Sequence, residues 1–329
     1  MYKRQGSELL VGDIATISAD QIPDVDLATA SFPCQDLSLA GKRAGLSGKR
    51  SGTFYQFIRI LGEFSAQGRP PSIVLVENVS GLLTSHRGKD IREVLLSLNR
   101  LGYACDLLLI DAAYFIPQSR PRVFVLGFFG PQTTSLIDDS AFLHPFRPPP
   151  VRKVVQANFD LAWRFLKLPN ISRMPHVSLA HILEKNQSLN WFDDGKLERE
   201  LSYIRNKSKE RLSRALRTAQ VTGKPVYLTA YRRMRQGAVC LEIRDDGIAG
   251  CLRAPTGGSS RQILIEVTPQ GSVRMRYMTA REYGRLQGVP DSFWIPERQQ
   301  PGLRAFGDAV AVPVLRWIGR ILKNHLVHR

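Results

Sequence analysis

The sequence predicts an α/β protein, with helices packed on a mostly parallel sheet and a smaller, basic domain of mixed structure let into it. Three observations predict this. Short apolar or β-branched runs alternate with stretches of helical spacing as far as Phe129, the pattern of strands joined by helical crossovers. The pattern breaks at a proline cluster, Pro145 and Pro148-Pro149-Pro150. Globular order then returns near Arg276.

Glu8 to Val11 reads as a short strand ending in Gly12-Asp13-Ile14, where a carboxylate past a strand end can face a nucleotide-like ligand or simply close a turn. A second strand, Asp26 to Ala30, leads into Ser31-Phe32-Pro33-Cys34-Gln35-Asp36-Leu37-Ser38. Cys34 is the one candidate nucleophile placed where open α/β sheets put their chemistry, followed by a polar loop with glycines, Lys42, Arg43, Lys49 and Arg50. Thr53 to Ala66 has helical spacing, with Phe54, Phe57, Ile58, Leu61 and Phe64 on one side. Ile73 to Val76 is a β-branched run typical of a buried strand, and Glu77-Asn78-Val79 follows it directly. A helix over Asp90 to Leu101 and strands at Leu107 to Ile110 and Val123 to Phe129 complete this half, with Gln118, Arg120 and Arg122 before the last strand.

Beyond the prolines the expected elements are a helix at Val154 to Leu166, a long charged helix at Leu197 to Ala219, and strands at Val226 to Leu228, Ala238 to Ile243 and Ile263 to Val267. Between the last two lies a small-residue loop, Thr256-Gly257-Gly258-Ser259-Ser260, flanked by Arg253 and Arg261; it suits close approach to a phosphate or groove, and equally a plain hairpin. Thr279 and Glu282 form a capping box for a helix ended by Gly288 and Pro290, and Val310 to Leu326 is a last amphipathic helix. Domain bounds follow: 1–145, 146–275 as the inserted domain, and 276–329 returning to the first.

Composition narrows the function. Net charge is +17, and residues 146–275 hold 23 Lys and Arg against 11 Asp and Glu. A cationic middle region suggests a polyanionic partner, most simply nucleic acid. The four cysteines show no CxxC pair, so neither a disulfide framework nor a zinc site is expected. No apolar run approaches the roughly 20 residues of a membrane span, and no signal segment opens the chain; a cytoplasmic protein, nucleoid-associated when bound to DNA, is the expectation.

The motifs, taken in order, resemble the DNA cytosine-5 methyltransferase family of bacterial or phage type. They are Gly12-Asp13-Ile14, Phe32-Pro33-Cys34-Gln35, Glu77-Asn78-Val79, Gln118-x-Arg120-x-Arg122, Arg285-Leu286-Gln287-Gly288-Val289-Pro290 and Phe306-Gly307-Asp308-Ala309-Val310. The resemblance implies a Rossmann-like S-adenosylmethionine-dependent methyltransferase sheet with helices on both faces, with 146–275 as the target-recognition domain. It implies a reaction in which Cys34 adds to C6 of a flipped cytosine, assisted by Glu77, Arg120 and Arg122. S-adenosylmethionine contacts are then expected from Asp13, Ile14, Phe32, Pro33, Phe54, Asp308 and Ala309. DNA contacts are expected from Gln35, Ser38, Lys42, Arg43, Gln118, Arg232, Arg233 and Thr256 to Ser259. No metal is expected; the expected partners are double-stranded DNA and a cognate restriction endonuclease acting on the same site, and the protein is expected to be a monomer. Transfer RNA as the methyl acceptor, and a non-catalytic DNA-binding remnant, stay open as alternatives.

The family's opening F-x-G-x-G-G turn has no counterpart among these residues, and Asp308 stands where the family more often has Asn. Met1 to Gln5 matches nothing that follows and reads as translated transposon-end sequence, so native coding sequence is expected to start near Gly6. The expectation is that the chain by itself methylates little while the complete gene encodes an active enzyme.

Overall fold

The computed structural model describes residues 11–32, 52–131, 142–172, 177–185, 189–254 and 261–326. The chain forms two compact units. Among the described residues, the first unit holds the chain up to Asp111, then Pro121–Ile171 and the end from Arg320; the second holds Ala112–Arg120 and Ser172–Gly319.

The first unit is built on strands β1 (Leu27–Ser31), β2 (Ile73–Val79), β3 (Tyr103–Asp111) and β4 (Pro121–Phe129), in the order β1-β2-β4-β3. β1 and β2 are parallel; β4 is antiparallel to both β2 and β3. The expectation of a mostly parallel sheet is therefore corrected. The strands joined by helices, β1, β2 and β3, do run the same way, but β4 returns through the short Ala112–Arg120 connection and inserts between β2 and β3. An antiparallel neighbour needs no helical crossover.

Helices α1 (Thr53–Ala66) and α2 (Lys89–Arg100) and the shorter α3 (Pro149–Ala157) cover one face. Their Phe54, Phe57, Leu61, Val94, Leu95 and Val151 pack on alternate strand residues such as Val74, Val76, Val123 and Val125. On the other face Phe128 meets His325, near the end of helix α9 (Val312–Leu326), with ring centroids 5.6 Å apart. Helices thus lie on both faces.

The helix expected over Val154 to Leu166 is displaced. Pro149 and Pro150 stand at its first positions, where a missing N–H costs nothing, and Asn158 ends it by donating from Nδ2 to the Val154 carbonyl at 2.7 Å. The segment beyond runs as extended backbone beside β3, with Trp163 fully buried. Arg147, inside the proline cluster, is buried in an ion pair with the equally buried Asp106 (Nη2–Oδ2 2.6 Å).

The second unit holds the sheet β6-β5-β7-β8, formed by β5 (Val226–Arg235), β6 (Ala238–Arg244), β7 (Ile263–Val267) and β8 (Val273–Tyr277), all antiparallel. It also holds the short helix α4 (Leu179–Ile182), α5 (Asp194–Ser202), α6 (Asn206–Thr222), α7 (Ala280–Leu286) and α8 (Gln299–Asp308). The single long helix expected over Leu197 to Ala219 is two helices. Backbone at Tyr203 and Ile204 leaves the helix to pair with β6, Leu241 N donating to Tyr203 O at 2.9 Å. α6 packs Ala215 and Ala219 on one face of the sheet, against Leu228, Ala230 and Ile265. The capping box at Thr279 and Glu282 opens α7, and Glu282 also holds buried Arg276 in a two-point ion pair at 2.6 and 2.8 Å.

Candidate active site

β1 and β2 run in register so that Ser31 lies beside Glu77. Glu77 and Asn78, expected just beyond the strand, lie within it, because β1 pairs with β2 as far as Glu77 and β4 pairs with it through to Val79. Successive residues of a strand face opposite ways, so the two polar side chains serve different faces.

Glu77 is buried to 8% exposure, and both carboxylate oxygens are engaged. Oε2 accepts a short hydrogen bond from the Ser31 hydroxyl, and Oε1 is 3.0 Å from Nε of Arg122. Arg122 lies opposite Val79 on β4, one step diagonally from Glu77 on the same face, a separation that a long side chain spans. On the other face, Asn78 donates from Nδ2 to the Phe32 carbonyl at 3.2 Å and accepts from Val79 N through Oδ1 at 2.9 Å. Phe32 stacks at a tilt on Phe54, centroids 5.2 Å apart, with both rings buried. The backbone leading to Pro33 and Cys34 is thereby held to β2 at Phe32. Pro33, Cys34, Gln35, Ser38, Lys42 and Arg43 themselves lie outside the described residues.

The expected ligand-binding residues of this unit gather at one place. Ile14, Phe32 and Phe54 share an apolar cluster, and exposed Asp13 adjoins it, its Oδ1 accepting from Ala15 N at 2.9 Å. Among the described residues, no group of three or more His, Cys, Asp or Glu could hold a metal. Cys105 is fully buried, and burial pushes its thiol pKa far up, so it is no source of thiolate near neutral pH.

Arg120 and Gln118 sit in the second unit, where they bind backbone. Arg120 is 3% exposed and donates to Leu252 O at 2.8 Å and Gly307 O at 3.0 Å. Gln118 is fully buried; Nε2 donates to Leu286 O at 2.5 Å, and Oε1 accepts from Leu252 N at 3.3 Å. Gln287 completes this knot by donating to Phe306 O at 2.6 Å and Ala309 O at 3.2 Å. Gly307 is required here, because a Cβ would come within 2.2 Å of Ala254 N and 2.4 Å of Arg253 C. Asp308 is exposed at the end of α8 with Ala309 half-buried after it. Arg232 is paired with buried Glu200, and Arg233, on the opposite face of β5, is exposed. Thr256, Gly257, Gly258 and Ser259 lie outside the described residues.

A family model for C-5 cytosine-specific DNA methylases matches residues 1–324. The chain belongs to that family. Among the relatives of this methylase, the type II methyltransferase M.DsaV of Dactylococcopsis salina is 27% identical over 327 residues, which cover 99% of this chain and 76% of that protein. The type II methyltransferase M.BsuFI of Bacillus subtilis is 26% identical over 327 residues, 99% of this chain and 64% of that one. In fold the chain is similar to the Entamoeba histolytica methyltransferase EhMeth, with a TM-score of 0.64 at 15% identity, covering 98% of this chain and 85% of that one.

The Ser31 contact is the part of the site that sequence reasoning missed. A serine beside a phenylalanine carries no signal of its own, since strand register decides what it touches. The alternation of β1, which puts Ser31 on the face of Leu27 and Thr29, was the one available hint.

Proposed function

We propose that this chain carries the catalytic residues of a DNA cytosine-5 methyltransferase, acting on a cytosine flipped out of the duplex. The observation that carries the reading is the Ser31–Glu77–Arg122 cluster, built at the end of the strand pair whose first member runs directly into Phe32-Pro33-Cys34.

Carbon 5 of cytosine is too weak a nucleophile to take a methyl group unaided. Addition of the Cys34 thiolate to C6 forms the S–C6 bond and pushes an electron pair toward C5 as an enamine. Negative charge builds on the ring as this happens, at N3 and O2. Glu77 shares a proton with N3, which neutralises the charge building there, and accepts from the 4-amino group, while Arg122 donates to O2. In this structure these two side chains are engaged with each other. Base entry therefore exchanges one ion pair for two base contacts, and Ser31 keeps Glu77 aimed during the exchange. After methyl transfer, loss of the C5 proton and elimination at C6 release Cys34.

S-adenosylmethionine, when bound, supplies an electrophilic methyl group on a sulfonium. The apolar cluster of Ile14, Phe32 and Phe54 beside exposed Asp13 suits an adenine ring and its hydrogen-bonding edge, so these residues would hold it; Asp308 and Ala309 remain candidates for its other end. Duplex DNA as the acceptor is supported by the family and by the basic stretch 146–275. Bisulfite sequencing of DNA from cells expressing the protein tests the reading: a fixed sequence context should become methylated, and dependence on Glu77 should follow. Methylation confined to transfer RNA in the same cells would favour the other acceptor.

A further inference from the structure

On the α5/α6 face of the second sheet, three cations meet with one carboxylate between them. Arg232, on β5, takes that carboxylate, Glu200, through Nε at 3.0 Å and through a second, shorter contact from Nη2. Extending the β5–β7 register past Ala230↔Ile263 places Arg261 across from Arg232. Arg261 lies over the ring of Tyr277, Cζ 4.6 Å from the centroid. Lys196, from the first turn of α5, lies against the same ring with Nζ 4.5 Å from its centroid, and 3.9 Å from that of Phe192.

The charge balance of this cluster is unusual. Among the described residues neither Lys196 nor Arg261 has a salt bridge, and Nε of Arg261 is buried with no hydrogen-bond partner. Nη2 of Arg261 donates to the Met278 carbonyl at 3.2 Å. Lys196 stands in the first turn of a helix, where the positive end of the helix dipole opposes a cation. Burial pulls both cations below their usual pKa values, and for Lys196 the nearby Arg232 and Arg261 add to the effect, against Glu200 and Asp193. Gathering like charges in partly buried positions costs stability, and the cation–π contacts offset only part of it. An anion bound by the exposed ends of both side chains would compensate their charge.

We propose that Lys196 and Arg261, seated on Tyr277, form a subsite for one backbone phosphate of the DNA duplex. The inference rests on the methylase reading for the identity of the anion. It adds a role for two residues outside the chemistry. Arg261 immediately follows the small-residue stretch Thr256 to Ser260 in sequence, and phosphate contacts fix a protein's register on the duplex.

The test is phosphate-ethylation interference on a duplex containing the methylated sequence, comparing the parent with Arg261→Gln and Lys196→Gln. The parent should lose binding when one particular phosphate is ethylated, and both variants should tolerate ethylation at that phosphate while binding unmodified duplex about five- to tenfold more weakly. The dependence of log K on log salt should flatten by about 0.9 in either variant, one phosphate's worth. Neither substitution should lower the melting temperature of the free protein, since each removes an uncompensated cation. If Arg261→Gln does melt well below the parent, Arg261→Lys decides: recovery of the same interference position supports the subsite, and its absence overturns it. Unchanged interference patterns in a protein that binds and methylates duplex DNA overturn the subsite alone. A parent that binds no duplex at all overturns both the subsite and the DNA reading.

Discussion

Replacing Glu77 by Gln separates the catalytic reading of this side chain from a structural one. The amide keeps the shape of the carboxylate. One of its polar atoms can still accept from Nε of Arg122, now 3.0 Å from Oε1, and the Ser31 hydroxyl can turn to accept from the other. The hydrogen-bond count is therefore kept and only the charge is lost. A hydrogen bond to a charged group contributes about 1.5–3 kcal/mol and a neutral one about 0.5–1.5, so the variant should be about 1 kcal/mol less stable. In a domain of this size that is a fall in melting temperature of about 2–4 °C, which leaves nearly all molecules folded. Methyl transfer should suffer far more, because the amide cannot pass a proton to N3 as negative charge builds there. A loss of 10²–10⁴ is expected, about 3–5 kcal/mol at the transition state. Single-turnover transfer of labelled methyl groups to duplex DNA, run beside thermal melts on the same protein, measures both. Transfer within about threefold of the parent would refute the role assigned to Glu77. So would a melting temperature lowered by 10 °C or more with activity falling in step, since the residue would then be acting as a structural ion pair.

Other substitutions test the frame around the site. Gly307→Ala drives a Cβ into the backbone at Arg253 and Ala254 and should cost about 1–3 kcal/mol, with binding to the target sequence weakened more than binding to random duplex; equal weakening, by gel shift on both, would contradict the placement. Arg147→Met leaves Asp106 buried without its partner and should destabilise by about 3–5 kcal/mol in denaturant melts, whereas the joint change Arg147→Met with Asp106→Leu should recover much of that. Thr279→Ala removes the cap of α7, for which a loss of about 0.5–2 kcal/mol is expected in the same melts. Cys105→Ser should leave methyl transfer within twofold, because that thiol is buried away from the site and not ionised near neutral pH.

Local periodicity carried most of the elements into view. The helical spacing of Phe54, Phe57, Leu61 and Phe64 bounds α1 at Thr53 and Ala66, and the apolar run Ile263 to Val267 is β7. What sequence spacing does not encode is pairing across the sheet. β4 reads as one more strand of the alternating series, and only the short connection before it hints that it turns back between β2 and β3. The break between α5 and α6 is hidden for a related reason: helix-favouring residues continue through Tyr203 and Ile204, but a backbone bond to β6 outcompetes them. β8 and α8 carry too few patterned residues to stand out. At the site, Glu77 and Arg122 were readable as strand-end polar residues in a family order, while Ser31 became visible only once the β1–β2 register was known. Alternation alone reads Arg120 and Arg122 as one exposed face, whereas both are engaged: Arg120 holds the Leu252 and Gly307 carbonyls and Arg122 holds Glu77.

Trapping the bond between Cys34 and C6 of the target cytosine tests the proposed chemistry most directly. A duplex with 5-fluorocytosine at the methylated position lets addition and methylation proceed but blocks elimination, because C5 no longer carries a proton to lose. The protein, incubated with this duplex and S-adenosylmethionine, should yield a denaturation-resistant complex whose nucleotide maps by mass spectrometry to Cys34, and Cys34→Ser should abolish it. A complex that survives Cys34→Ser, or a nucleotide mapped to Cys240 or Cys251, would contradict the account.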